Sequence, residues 1–378
     1  MKKILGIVVV LVVVILLGAY FINKNSSPTV DLTQPVKIGY IGPMTGPSAV
    51  LGMDAVKAVE IAVNDANAIG GVNGRKVELI SEDDQYLTKN TVSAYEKLVN
   101  VDKVKVILVA SYGGLFAVMD KAAQDGVVII NPLDCNKEVA NVAKNVFCLA
   151  TETESIGQSL ADQMISEGKN SAGIMYSTKD TFMAIVTNAF KQEFESKGGK
   201  VQVEAFNYTD TDFRTQLLKL KSSNVGGLVL LGHDEVGTIM KQARTLGMKQ
   251  KFYATGTITS PVAQQLAEGN AEGTIFAYWD ANKNNTEATA FETKFKALVG
   301  RGPILPLTTH PAYDATNILL KKVLPMIKGE ITAESIKSGL LSISNFQGST
   351  GLVTIDKSGA APIVESAFKL VKGAPVKI

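Results

Sequence analysis

The chain has 378 residues, 46% of them apolar and 20% charged, and 38 Lys and Arg against 36 Asp and Glu leave a formal charge of +2. That apolar fraction supports a buried core and excludes wholesale disorder, while the near-balance of charge offers no basic surface for nucleic acid. Two Cys and two His are too few for a disulfide scaffold or a Cys/His zinc module, and the length fits two domains.

Part of the apolar excess sits at the start. Ile4–Ile22 is an uncharged run of 19 residues, about 28 Å long as a helix and close to the hydrocarbon thickness of a bilayer. Lys2 and Lys3 precede it, which orients the N-terminus to the cytoplasm and the rest outside. Residues 1–22 therefore read as an N-terminal membrane anchor or signal segment. A retained anchor is favoured because no small-x-small cleavage site follows. Tyr20 stands where a lipid-bearing Cys would sit, so thiol-linked lipidation is excluded there. Residues 23–35 are polar, contain Pro28 and Pro35, and read as a linker.

From Val36 onward β-branched runs alternate with amphipathic stretches. Strands are expected at Val36–Ile41, Val77–Ser81, Val104–Ala110 and Val127–Asn131. Between them, helices are expected at Asp54–Ala68, Thr91–Asn100 and Leu115–Asp125, the last closed by Gly126. The pattern then restarts with a short strand at Val146–Leu149. It continues through strands at Ser171–Ser177, Val201–Asn207, Gly227–Leu231, Phe252–Ala254 and Thr274–Tyr278. Helices are expected at Ser155–Glu167, Phe182–Lys197, Phe213–Ser222 and Glu235–Leu246, then at Phe291–Leu298, Ala312–Ile327 and Ala333–Leu341. A β pair, Leu352–Ile355 and Val364–Leu370, ends the chain. Apolar strands without alternation are buried on both faces, as in a parallel sheet covered by helices. The fold class is α/β: two doubly wound parallel-sheet lobes.

The chemistry is spare. There is no GxGxxG or GxxxxGK[ST] nucleotide loop and no GxSxG elbow. Cys135 and His233 fall in different lobes, and no spacing joins them as a dyad. His310, before Pro311, reads as a surface or hinge residue in a loop. Glu82, Asp83 and Asp84 read as a solvated strand end. Nothing here demands an enzyme, a cofactor or a metal. Cys135 and Cys148 leave two readings open: a disulfide contributing about 3 kcal/mol, or two buried thiols.

Ligands of doubly wound sheets bind beyond the carboxyl ends of the strands. In the first lobe this selects the loops Met44–Ser48, Ser111–Gly114 and Leu133–Asn136; in the second, Thr178–Phe182, Gly232–Asp234 and Gly256–Thr259. The candidate ligand-binding residues are Thr45, Ser111, Tyr112, Gly113, Asp134, Cys135, Asp180, Phe182, His233 and Thr257. Tyr112, Phe182 and Trp279 could supply apolar walls. Asp134, Asp180 and Asp234 compete as helix caps, and for Asp234 the cap is favoured.

Val36–Gly52, Ala62–Asp84, Ala312–Ala315 and Phe346–Gly359 resemble the type I periplasmic solute-binding proteins. The stretch NDANAIGGVNGRKVEL within them is the most specific. The match is closest to the branch that binds leucine, isoleucine and valine for ABC importers. The resemblance implies two lobes joined by three crossover strands that close on a ligand. Residues 36–150 plus about 277–342 would form lobe 1, and 151–276 plus about 343–378 lobe 2. It also implies an extracytoplasmic location, ABC permease subunits as partners, and a small polar ligand, an amino acid or a similar compound. A ligand-sensing ectodomain working through a partner protein is the alternative use of the fold. Amino-acid binders of this branch hold the α-carboxylate with loops after the third and fourth strands. Here Ser111 is kept but Tyr112 and Asp134 intrude. A carboxylate facing Asp134 would be repelled unless a cation intervened.

Overall fold

The structure, a computed structural model, describes residues 33–46, 48–178, 180–207, 209–279 and 285–378. The segment expected as an anchor at 4–22 and most of the linker lie outside the described residues. Among the described residues no helix is long and apolar enough to cross a membrane.

The first βα series runs through strands β1 (Val36–Gly42), β2 (Val77–Asp83), β3 (Val106–Val109), β4 (Val128–Asn131) and β5 (Val146–Thr151). All pair in parallel, in the order β5-β4-β3-β1-β2. Residues of β3, β4 and β5 are buried throughout, as two-sided helix cover requires. Helix Met53–Ala68 packs its Ala and Val stripe onto one face. Helices Thr88–Glu96 and Tyr112–Asp125 cover the other. Gly126, at φ 63°, ends the latter in the left-handed conformation that glycine adopts without a Cβ clash.

The second series comprises β6 (Ser171–Ser177), β7 (Lys200–Phe206), β8 (Gly227–Leu231), β9 (Lys251–Ala254) and β10 (Ile275–Tyr278). These pair in parallel in the order β10-β9-β8-β6-β7. Helices Thr153–Ser166 and Thr181–Ser196 lie on one face; Arg214–Ser222, Glu235–Thr245 and Pro261–Ala267 lie on the other.

After β10 the chain returns to the first lobe. Helices Thr286–Val299, Pro306–Ile318 and Ala333–Leu341 pack with Met53–Ala68 in one core. The tail differs from the expected β pair. Strands β11 (Phe346–Gly348) and β12 (Gly351–Val353) form a hairpin of their own. Then β13 (Ala360–Ile363) adds to the first sheet beside β5, and β14 (Ser366–Val371) and β15 (Ala374–Lys377) extend the second. Pairing of β13 with β5, and packing of Val353 and Ile355 in the first core, keep the stretch through β13 with the first lobe, whereas the resemblance put the whole stretch from about 343 in the second. A single strand at Val364–Leu370 does not form either, because the chain changes sheet at Val364 and Glu365.

His310 is not in a loop. Helix Pro306–Ile318 starts earlier than its apolar period suggests, and His310 is fully buried in it against Phe291 and Trp279. Cys135 and Cys148 form a disulfide.

Candidate ligand-binding site

A cavity opens where the carboxyl ends of the two sheets meet. Its walls come from both lobes. Leu51, Tyr86, Leu133 and Asp134 follow strands of the first; Phe182, His233 and Thr257 follow strands of the second. Thr151, at the end of β5, and Glu365, between β13 and β14, lie where the chain passes between the lobes.

Asp134 is held by its backbone. Pro132 ends β4, and the Asn131 side chain accepts hydrogen bonds from the N–H groups of Leu133 and Asp134 at 2.7 and 2.8 Å. The next amide, of Cys135, donates to the carbonyl of Thr151 at 2.8 Å, and the disulfide ties the loop to β5. The carboxylate so positioned is 0% exposed. Neither of its oxygens has a hydrogen-bond partner. Burial, reinforced by the charges of Asp180 and Glu365, pushes its pKa well above the usual carboxylate range.

Asp180 caps helix Thr181–Ser196, accepting from the Phe182 amide at 3.0 Å. Its other oxygen lies 2.8 Å from His233 Nε2. Burial opposes an imidazolium at His233, but the hydrogen bond and charge of Asp180 outweigh it, so the His233 pKa is raised. The Asp180 carboxyl is thus committed to His233. Tyr86, from the first lobe, sets its ring against His233, centroids 5.7 Å apart.

Glu365 is buried, and its Oε2 has no partner. Burial pushes this carboxyl up to about 7. Among the described residues the cavity therefore holds two acids, Asp134 and Glu365, and no Lys or Arg lines it.

The remaining wall is apolar. Leu51, Leu133 and Leu305 belong to a small cluster of their own. Leu305 is delivered by a clasp: Arg301 donates two hydrogen bonds to buried Asp54, at 2.7 and 2.8 Å, and the Ile304 amide donates a third at 2.9 Å.

Of the residues expected at the site, Asp134, Phe182, His233 and Thr257 line the cavity. Asp180 stands directly behind His233. Tyr112 is fully buried behind Phe182, ring centroids 6.3 Å apart, and accepts a hydrogen bond from Asn136 at 2.7 Å. It belongs to a helix that Ser111 begins, rather than to a loop. Gly113 lets that helix approach Thr88. Thr45 hydrogen-bonds Asp83 at the surface, Cys135 is committed to its disulfide, and Trp279 packs on His310. Asp234 precedes helix Glu235–Thr245 without a side-chain capping bond. Its carboxyl is raised mainly by burial, against a hydrogen bond from Ser260. Spacing did not point to Tyr86, Leu305 or Glu365.

These features define a two-lobed α/β protein with a cavity in the cleft between its sheets. A family model described as periplasmic binding protein matches residues 35–372, and the chain belongs to that family. Among its relatives, the Leu/Ile/Val-binding protein homolog 3 of Brucella melitensis is 27% identical over 75% of this chain and 77% of its own. A leucine-, isoleucine-, valine-, threonine- and alanine-binding protein of Pseudomonas aeruginosa is 26% identical over 86% of each chain. Solved structures share the fold. A leucine-binding protein from Thermotoga maritima superposes with TM-score 0.82 at 24% identity, covering 90% of this chain and 97% of that one. A solute-binding protein from R. palustris in complex with benzoate gives TM-score 0.78 at 20% identity over 91% and 95%.

Proposed function

We propose that this protein is the extracytoplasmic solute-binding component of an ABC importer. It captures a small polar solute, an amino acid or a compound of similar size, between its lobes and presents it to permease subunits. The observation that carries this reading is the cavity itself, walled by the carboxyl ends of both sheets and closed by residues that approach across the cleft. The relatives named as binders of leucine, isoleucine and valine support an importer of amino-acid-sized solutes. The protein acts by binding rather than by catalysis. An oxidising compartment fits the disulfide between Cys135 and Cys148, and residues 4–22 would tether the receptor to the membrane that carries the permease.

Closure on a ligand is a hinge motion driven by contacts made only in the closed state. A thermal-shift screen of small metabolites should find compounds that raise Tm. The same compounds should lower the radius of gyration in solution scattering. A screen in which no solute shifts Tm would remove the receptor reading.

A further inference from the structure

Among the described residues the cavity contains two buried carboxyls without a cationic partner, and this deepens the solute-binding reading on which it rests. Asp134 is 0% exposed, Glu365 is 4% exposed, and Asp134 has no hydrogen-bond partner at either oxygen. A buried ionised carboxylate without a partner costs several kcal/mol, so such a group is ordinarily paired or neutralised. The groups facing Asp134 can be named element by element. Tyr86 follows β2, Asp180 begins helix Thr181–Ser196, His233 follows β8, and Glu365 lies between β13 and β14. Among them, the His233 imidazole is taken by Asp180. Tyr86 is a phenol that burial and the surrounding carboxylates hold protonated. The rest of the lining is mostly aliphatic and aromatic: Leu51, Leu133, Ile156, Phe182, Leu305 and Leu307.

We propose that the cavity is built for a solute carrying a cationic nitrogen, as an amine or a guanidinium, on a compact apolar body, and that Asp134 and Glu365 are the seat for that nitrogen. The loop after β4 presents to the solute a buried carboxyl whose ionised form a docked cation stabilises. A free carboxylate on the solute supplies no such counter-charge. A zwitterion must place its carboxylate elsewhere in an apolar chamber, whereas a simple amine leaves no anion to accommodate. Burial disfavours the ionised form of both acids in the empty site. Docking of the cation favours the ionised carboxylates and expels a proton to solvent, so the total charge in the chamber stays nearly constant.

Three probes of one shape separate these cases. They are 3-methylbutylamine, leucine, which adds a carboxylate to it, and 4-methylpentanoate, which has the carboxylate and no ammonium. In calorimetric titrations of the purified protein at pH 7.5, 3-methylbutylamine should bind at least tenfold more tightly than leucine, and 4-methylpentanoate should give no heat. The enthalpy for the amine should differ between phosphate and Tris buffers, reporting the released proton. Asp134→Asn should weaken amine binding at least tenfold while its unliganded Tm is equal to or above that of the parent. Tighter binding of leucine than of the amine, or undiminished amine binding by Asp134→Asn, overturns the proposal. So does silence from a wider panel of amines and guanidines while any zwitterion or anion binds. Silence across that whole panel, zwitterions and anions included, would take the receptor reading with it.

Discussion

Glu365 carries its cost as a function of pH. Its carboxyl lies at about 7 in the folded protein because it is buried, whereas an unfolded glutamate titrates near 4.3. The folded state thus binds this proton more tightly. The corresponding stability is fully present below about pH 4 and is lost as pH rises toward 7. Glu365→Gln keeps the shape and cannot ionise. In urea denaturation the variant should match the parent at pH 4 and exceed it by roughly 3 kcal/mol at pH 8. Equal stability at both pH values would show that Glu365 is solvated in the working protein. His233 runs in the same direction for a different reason. Its pKa is raised by Asp180, so the pair is complete in acid and dissolves as pH climbs through that raised value.

At the scale of the element, the loop after β4 is the part of the site most tightly tied down. An Asn131 turn, a backbone bond to Thr151 and the disulfide all fix the few residues around Asp134. The disulfide closes a separation of 13 residues, for which loop entropy gives about 3 kcal/mol. Replacing Cys135 and Cys148 together by Ser should lower stability by about that amount, read as a fall in Tm. Solute affinity should fall with it, because the Asp134 backbone is then anchored on one side only. A Tm loss with unchanged affinity would show that the Asn131 turn suffices. The strands of both sheets were legible in the sequence because two-sided burial leaves unbroken Val, Ile and Leu runs. The loops beyond their carboxyl ends followed from topology, and that reasoning reached Asp134, Phe182, His233 and Thr257. It overreached at Tyr112. Its helix begins at Tyr112 itself, three residues before the first strongly apolar period position, so the ring points into packing behind Phe182. It missed Glu365 for the opposite reason. Val364–Leu370 has strand composition throughout, and only the paired sheets reveal that the chain crosses between lobes at its first two residues. Leu305 was illegible because a long-range clasp between Arg301 and Asp54 sets its position.

At the scale of the whole molecule, the lobes are interlaced by the chain. The polypeptide leaves the first lobe after β5, returns after β10, and leaves again after β13. Two of these passages run side by side: β5 and β13 pair in parallel, and the Glu152 amide donates to the Ile363 carbonyl at 2.8 Å where they exit. Thr151 and Glu365 of the cavity belong to these passages. A solute held in this cavity would therefore touch the hinge as well as both jaws. A chain truncated after Tyr278 would lack β13 at the edge of the first sheet, β14 and β15 at the edge of the second, and the helices that complete the first core. It should show no cooperative thermal transition by circular dichroism. A sharp transition in that fragment would mean that the second lobe folds without its last strands.

The pairing of Ala360 with Cys148 also sets a schedule. A ribosome adding about 5–20 residues per second finishes β5 well before it reaches β13, and the first sheet waits on the order of ten seconds or more for its edge. Contacts so distant along the chain slow folding. The first sheet thus gains its last strand only after β6–β10 of the second have been made.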